Sequence, residues 1–221
     1  MKIIVPKESA PEKRVALTPT VAKKIIALGC EIYIEKGLGE TISVSDQEYQ
    51  KAGVQIASSK EELFKNAKII LKVQKPTEQE LSLMDEGSIH VSFLNPFYEK
   101  ELIAKIAKKK ATAVSLEMMP RTTIAQKMDA LSSQANLAGY AAVLRGSEKL
   151  NIILPMMTTP AGTIYPAKVF IIGVGVAGLQ AIATARRLGA QVYVFDVRSA
   201  VKEEVQSLGG KFVEVEGAVE D

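Results

Sequence analysis

The residues best placed to do chemistry are three glycines and an aspartate at fixed spacing. Gly173, Gly175 and Gly178 stand in the run GVGVAG, directly after the strand-like apolar segment 168–172 and before a helical segment, 179–188, that Gly189 closes. A second strand-like run, 192–195, ends at Asp196, 23 residues after Gly173. Each residue type has a physical reason. Gly173 permits a tight turn, Gly175 lets backbone approach a pyrophosphate with no Cβ in the way, and Gly178 allows close helix-to-strand packing. Phosphate would rest on free N–H groups at the positive end of the helix. A carboxylate at the end of the second strand accepts the adenosine ribose hydroxyls and repels a 2′-phosphate. Arg198 pulls the other way, because an arginine just past this strand can accommodate the 2′-phosphate of NADP. With Asp196 at the strand end, NAD is favoured over NADP. A glycine-rich turn alone can be pure packing; strand, turn, helix, second strand and terminal aspartate in this order point to dinucleotide binding.

A second constellation lies upstream, where residues from Ile124 to about Leu150 read as one long helix. On a wheel of ~100° per residue, Gln126, Asp129, Ser133, Asn136 and Tyr140 form a polar stripe with Ser132 at its edge. Met128, Leu131, Ala135, Ala138 and Ala142 lie opposite. A solvated stripe is normally rich in Lys and Glu, yet this one has a single charge and otherwise amides and hydroxyls. Such groups both donate to and accept from an amide, which is what the carboxamide of nicotinamide presents. A helix packed between two domains with satisfied polar contacts would carry the same stripe.

The elements that must position these residues follow a βαβ rhythm. Strands are expected at 2–5, 31–34, 69–73, 89–93 and 113–116, with a helix from about Pro96 to Lys109. Alternation of this kind predicts an α/β fold with a mainly parallel sheet. Thr18 before Pro19 is a helix start, Asp46 and Ser58 or Ser59 are further N-caps, and Thr77 with Glu80 fits a capping box. The lysines at 100, 105, 108, 109 and 110 read as the solvated side of a helix that buries Leu102, Ile103, Ile106 and Ala107. The Pro-, Met- and Thr-rich stretch 154–166 reads as a linker or packed loop.

Composition narrows the function classes. The 221 residues are 47% hydrophobic and 24% charged, which argues against disorder. A net charge of +3 from 28 basic and 25 acidic residues carries no footprint for nucleic acid or anionic lipid. No apolar run approaches the ~20 residues of a membrane helix. The lone Cys30 allows no intrachain disulfide and favours a reducing compartment. One histidine, His90, and no metal-like cluster leave metallohydrolase and Ser-His-Asp chemistry with little support, and no metal is expected.

Longer motifs now carry a resemblance: PKE at 6–8, RVALTP at 14–19, LKVQKP at 71–76, QKMDALSSQANLAGY at 126–140, GVGVAGLQAIATARRLGA at 173–190 and FDVRSAVKEEVQSLGGKF at 195–212. Together they resemble the NAD(H)-binding component, domain I or α subunit, of the proton-translocating nicotinamide nucleotide transhydrogenases, over essentially the whole chain. The resemblance implies that Arg121, Gln126, Asp129 and Ser132 hold and orient the nicotinamide, with Gln126 and Asp129 closest to the reaction. It also implies that Val174, Gly175, Val176 and Ala177 line the pyrophosphate and that Asp196, Val197 and Arg198 surround the adenosine ribose. Ile124 departs from the family, which often has an arginine there. The implied partners are an NADP(H)-binding subunit or domain, an integral-membrane proton channel and a second copy of the chain. The implied location is cytoplasmic, peripheral on the inner face of a membrane.

Alanine dehydrogenase is the near relative, sharing PKE, RVALTP, LKV and the glycine-rich turn. That enzyme uses a Lys and a His on the substrate keto group; the matching residues here are Lys72 and Asn95. Reduction of a keto or imino acid needs a proton as well as a hydride, so losing the general acid costs roughly 10²- to 10⁴-fold. Exchange of hydride between two nicotinamides transfers no proton at the reacting carbons and needs only positioning. His90, five residues earlier on a strand, is ~16 Å away and reads as structural. Two alternatives stay open: an alanine-dehydrogenase-like enzyme, and an inert fragment retaining a partial nucleotide site.

The expected organisation is an N-terminal βαβ-type, flavodoxin-like domain at 1–120, a connecting helix and linker with the nicotinamide loop at 121–166, and the first half of a Rossmann domain at 167–221. The 55 residues from Ala167 hold β-α-β-α-β, the last strand at 211–215, and little more. A full dinucleotide fold has two such halves. The chain is therefore expected to be truncated or split, with a separate chain supplying the second half over the exposed sheet edge.

Overall fold

Ile3, Ile4 and Val5 would be apolar on both sides of a strand, the pattern of a strand covered on both faces. In the computed structural model, which describes residues 1–215, this strand (β1, Lys2–Val5) lies in the middle of a six-stranded parallel sheet. The sheet belongs to the first of two compact units, Met1–Asp129. Its other elements are α1 (Pro19–Ile26), β2 (Glu31–Glu35), α2 (Asp46–Lys51), β3 (Gln55–Ala57), α3 (Lys60–Phe64), β4 (Ile69–Leu71), α4 (Glu78–Leu83), β5 (Ile89–Ser92), α5 (Lys100–Lys108) and β6 (Thr112–Ser115). Strand order is β3-β2-β1-β4-β5-β6, every pairing parallel. The parallel α/β class is as expected, and its order is refined from flavodoxin-like to the six-stranded 3-2-1-4-5-6 of a doubly wound sheet. Successive residues of β1 feed opposite cores. Ile4 packs with Leu63, Phe64 and Ile70, whereas Ile3 and Val5 pack with Ile32, Ile34 and Tyr49.

Local chemistry sets the helix ends. Thr77 and Glu80 form the expected capping box at α4. At α2 the cap is Ser45, boxed with Glu48; Asp46 sits in the first turn and accepts the Gly37 N–H instead (2.8 Å). Ser59 rather than Ser58 caps α3, and Thr18 precedes Pro19 without a side-chain cap bond. Helix α5 starts at Lys100, four residues later than expected, because the N–H groups of Tyr98 and Glu99 turn back onto the Asn95 carbonyl. It buries Leu102 and Ile106, leaves Ala107 exposed, and pairs Lys105 with Glu78 and Lys110 with Glu86.

The second unit runs from Ala130. It contains α6 (Ala130–Leu150), a hairpin of β7 (Met157–Thr159) and β8 (Gly162–Ile164), then β9 (Lys168–Ile172), α7 (Val176–Arg187), β10 (Gln191–Phe195), α8 (Lys202–Ser207) and β11 (Lys211–Phe212). Strands β11-β10-β9 form a parallel sheet whose core holds Ile182, Ala185, Val192, Val194 and Val205. The third strand is shorter than the 211–215 expected, and the last six residues of the 167–221 segment lie outside the described residues. The stretch read as a linker contains the antiparallel hairpin, in which Met157 pairs with Ile164 and Thr159 with Gly162.

The long helix is corrected at its start. Gln126–Met128 is a single 3₁₀ turn, and Asp129 leaves the helical region at ψ 80° with its N–H on the Gln126 carbonyl (3.3 Å). Gln126 and Asp129 therefore precede α6 rather than lie on its polar face. The face opposite the stripe is not a buried one: Leu131 is 44% exposed, and the buried residue of α6 is Gly139.

Candidate dinucleotide site

The glycine-rich turn joins β9 to α7 inside the second unit. Gly173 has φ +95°, a conformation L side chains rarely adopt, and its N–H donates to the Phe195 carbonyl on β10 (2.8 Å). A Cβ on Gly178 would lie 1.9 Å from the Gly173 carbonyl oxygen, so only glycine lets the helix begin this close to the turn. Gly175 differs, since a Cβ there meets nothing within 4 Å. No packing demands glycine at 175; the open space in front of it is what a diphosphate would fill. The first intrahelical bond of α7 runs from the Leu179 N–H to the Gly175 carbonyl (2.9 Å), so the N–H groups of Val176, Ala177 and Gly178 come before the ladder starts. Val174 is buried under the turn and Val176 is half-exposed at its rim. The chemistry of this donor set fits a diphosphate.

Asp196 follows β10, its side chain 6% exposed. Its Oδ2 accepts the Val174 N–H (2.6 Å) and Arg198 Nη2 (3.0 Å), and its Oδ1 accepts the Arg198 N–H (2.9 Å) and Nε (3.0 Å). The Arg198 guanidinium holds the carboxyl well below the usual carboxylate range, aided by the two backbone donors. Val197 is half-exposed, and a small cleft of about 110 Å³ beside it is lined by Asp196, Val197, Ser199, Phe212 and Val213.

Helix α6 lies against α7 within the same unit, and two features set their distance. A Cβ on Gly139 would fall 2.1 Å from the Ala177 carbonyl oxygen, and Asn136 Nδ2 donates to Gln180 Oε1 (3.3 Å). Gly139 and the Asn136–Gln180 pair were not among the expected site residues. The available signal was a glycine in mid-helix, which costs about 1 kcal/mol against alanine and so calls for a packing reason. Ser132 is half-buried two turns N-terminal to Gly139 on α6. The second unit thus brings together the glycine turn, Asp196, Val197, Arg198 and the helix bearing Ser132. Arg121, Gln126 and Asp129 belong to the first unit; Arg121 and Gln126 are exposed and Asp129 is half-buried.

The first unit carries its own cleft, of about 420 Å³, lined by the segment after β1 (Ser9, Pro11, Glu12) and the segment after β4 (Lys72, Gln74, Thr77). This is the switch point of the sheet, where doubly wound folds bind ligands. Its cations are already engaged. Lys72, 1% exposed, donates to both oxygens of Glu80 (3.0 and 2.8 Å) and lies 3.8 Å from Glu8. Arg14 is held by Glu12 through Nε (2.9 Å) and Nη2 (2.7 Å). Burial raises the Glu8 pKa; burial would raise that of Glu80 too, but the Lys72 bonds win and lower it. Asn95 takes φ +51° with its N–H on Glu117, and its side chain is exposed. His90 is fully buried, Nε2 on Ser92 Oγ (3.0 Å), and burial with the nearby Lys72 lowers its pKa to about 4. No group of three or more potential metal ligands occurs among the described residues, and no helix among them is long and apolar enough to cross a membrane.

Comparison with known proteins fits this geometry. The N-terminal domain model of the alanine dehydrogenase/PNT family matches residues 4–138 and the C-terminal domain model matches 142–220. The first portion of the NAD(P) transhydrogenase alpha subunit of Rhodospirillum rubrum, a protein in its own right there, is 47% identical over 222 residues, covering 98% of this chain and 58% of that protein. The chain thus spans little over half the length of this curated relative. The crystal structure of transhydrogenase from Sinorhizobium meliloti superposes with a TM-score of 0.94 at 47% identity, over 98% of this chain and 62% of that one. An L-alanine dehydrogenase structure superposes at 0.85 with 27% identity, over 96% and 60%. With both domain models matched in order along it, the chain belongs to the alanine dehydrogenase/PNT family.

Proposed function

We propose that this chain is the NAD(H)-binding component of an NAD(P) transhydrogenase, presenting NADH for hydride transfer to NADP⁺ held by a partner subunit or domain. The observation that carries the reading is the open space at Gly175 in front of unladdered N–H groups, with the Asp196 carboxylate tied to the same turn. Bound nicotinamide supplies the hydride. The chain's own residues position it: the turn at Gly173–Gly178 takes the diphosphate, Asp196, Val197 and Arg198 take the adenosine ribose, and Arg121, Gln126, Asp129 and Ser132 orient the carboxamide. No proton moves at the reacting carbons, so no general acid is needed.

The relatives' names support transhydrogenation over amino-acid oxidation, and so does the cleft in the first unit. An alanine-type substrate brings a carboxylate, yet Lys72 and Arg14 both spend their donors on internal carboxylates, and Asn95 supplies no titratable proton. Proton translocation is assigned to integral-membrane partners, with this chain peripheral on the cytoplasmic face. A second copy of the chain, and a separate chain covering the β9 edge with the other Rossmann half, complete the proposed assembly. Residues 1–120, 121–166 and 167–221 act as sheet domain, nicotinamide-bearing connector and nucleotide half-domain.

Isothermal titration with NADH and NADPH, alongside an assay for NAD-dependent alanine oxidation, tests the reading. NADH binding, weaker NADPH binding and no alanine turnover are expected. Appreciable alanine turnover, or no NADH binding at millimolar ligand, overturns it.

A further inference from the structure

Every hydrogen-bonding position of the Asp196 carboxylate is taken within the chain itself. Oδ1 holds the Arg198 N–H and Nε; Oδ2 holds the Val174 N–H and Arg198 Nη2. Four acceptor positions meet four donors, which saturates an ionised carboxylate. A ribose that needs this carboxylate finds no free acceptor, so one set of donors has to leave.

The two backbone donors cannot leave. The Val174 N–H belongs to the buried start of the glycine turn, and the Arg198 N–H is two residues from the aspartate on the same loop. The guanidinium can. Its side chain is 56% exposed whereas that of Asp196 is 6% exposed, so the arginine can swing into water while the carboxylate stays. Once it has moved, each carboxylate oxygen keeps its backbone donor and has one acceptor position open. Two adjacent donors, one for each oxygen, are what the vicinal 2′- and 3′-hydroxyls of a ribose offer. The planar guanidinium fork and a vicinal diol are therefore alternative bidentate donors to one carboxylate.

We infer that Arg198 is the specificity-determining latch of the adenosine site: its fork stands in for the ribose diol in the free chain and is exchanged for it one donor at a time when dinucleotide binds. This rests on the dinucleotide reading above. A 2′-phosphorylated ribose has lost one of the two hydroxyl donors and cannot complete the exchange. The latch thereby selects for an unmodified ribose even though a displaced arginine would suit a phosphate. An exposed pair of this kind holds weakly, so the latch tunes affinity without blocking binding.

Titration of the 221-residue chain and of Arg198→Ala and Arg198→Lys with NADH, ADP-ribose, reduced nicotinamide mononucleotide and NADPH tests this. Expected for Arg198→Ala is about fivefold tighter NADH and ADP-ribose binding, since an exposed ion pair is worth up to about 1 kcal/mol. The mononucleotide, which lacks the adenosine ribose, binds unchanged, and NADPH gains nothing. Arg198→Lys, with charge but no fork, tightens NADH less than alanine does. If wild-type chain binds NADH and both variants bind it equally or more weakly, the latch is wrong while the dinucleotide reading stands. If no protein binds NADH or ADP-ribose, both fall.

Discussion

Gly139 on α6 faces the carbonyl of Ala177 on α7 so closely that a Cβ would sit 2.1 Å from the oxygen. That oxygen belongs to the first turn of the helix whose N–H groups form the proposed diphosphate seat, so the spacing of the two helices and the shape of the seat are linked. Alanine at 139 gains about 1 kcal/mol of helix propensity but must push the helices apart. Overpacking of this kind typically costs about 1–3 kcal/mol, so the clash wins. Gly139→Ala is expected to lower the urea midpoint and to weaken NADH binding. A stabilised variant with unchanged NADH affinity would show that the helices yield freely.

Asp196→Asn removes the charge and keeps the shape. Charge-assisted bonds contribute about 1.5–3 kcal/mol, so NADH affinity should fall by about tenfold or more. The loss should be confined to ligands that carry the adenosine half. Titration with ADP-ribose and reduced nicotinamide mononucleotide checks this, and equal weakening of both would place Asp196 elsewhere in the site.

Lys72 and Glu80 are each 1% exposed, so removing one strands the other's charge. Lys72→Ala is expected to cost about 3–5 kcal/mol, measured by urea unfolding. NADH affinity of the folded fraction should be nearly unchanged, since the pair belongs to the switch-point cleft of the first unit. A mild stability loss with abolished NADH binding would give Lys72 a direct role in the nucleotide site.

His90 makes stability depend on pH. Its folded pKa of about 4 lies below the ordinary 6.5, so the unfolded chain binds the extra proton. The contribution is complete above pH 6.5 and is lost as pH falls from 6.5 to 4, by up to about 3 kcal/mol. Glu8, its pKa raised by burial, works in the opposite sense, being most favourable at low pH and weakening as pH rises. Comparing wild type with His90→Gln isolates the histidine. The fall in urea midpoint between about pH 7 and pH 5 should shrink in the variant, and parallel falls would count against a neutral buried imidazole.

The nucleotide half was legible because its signals are local. Glycine spacing, the apolar run 168–172 and the aspartate after 195 each act within a few residues, and β9, α7 and β10 form there. Where a residue serves two elements, sequence is silent. Glu80 is readable as a capping partner of Thr77, but its grip on Lys72 requires β4 and α4 to be placed first. Periodicity misplaces the start of α6 because it does not register one residue's ψ, and Asp129 turns the chain out of the helix while the polar spacing continues. The hairpin at 157–164 escapes because its strands are three residues each, exposed throughout, and carry no alternation.

The most direct test combines the chain with an NADP(H)-binding component and follows hydride transfer from NADH to a spectrally distinct NADP⁺ analogue. The expected result is transfer that requires both proteins, saturates with NADH, and falls at least about tenfold with Asp129→Asn or Gln126→Asn, as loss of a positioning contact would cause. Transfer at the wild-type rate in those variants, or none at all from a chain shown to bind NADH, would contradict the proposed role.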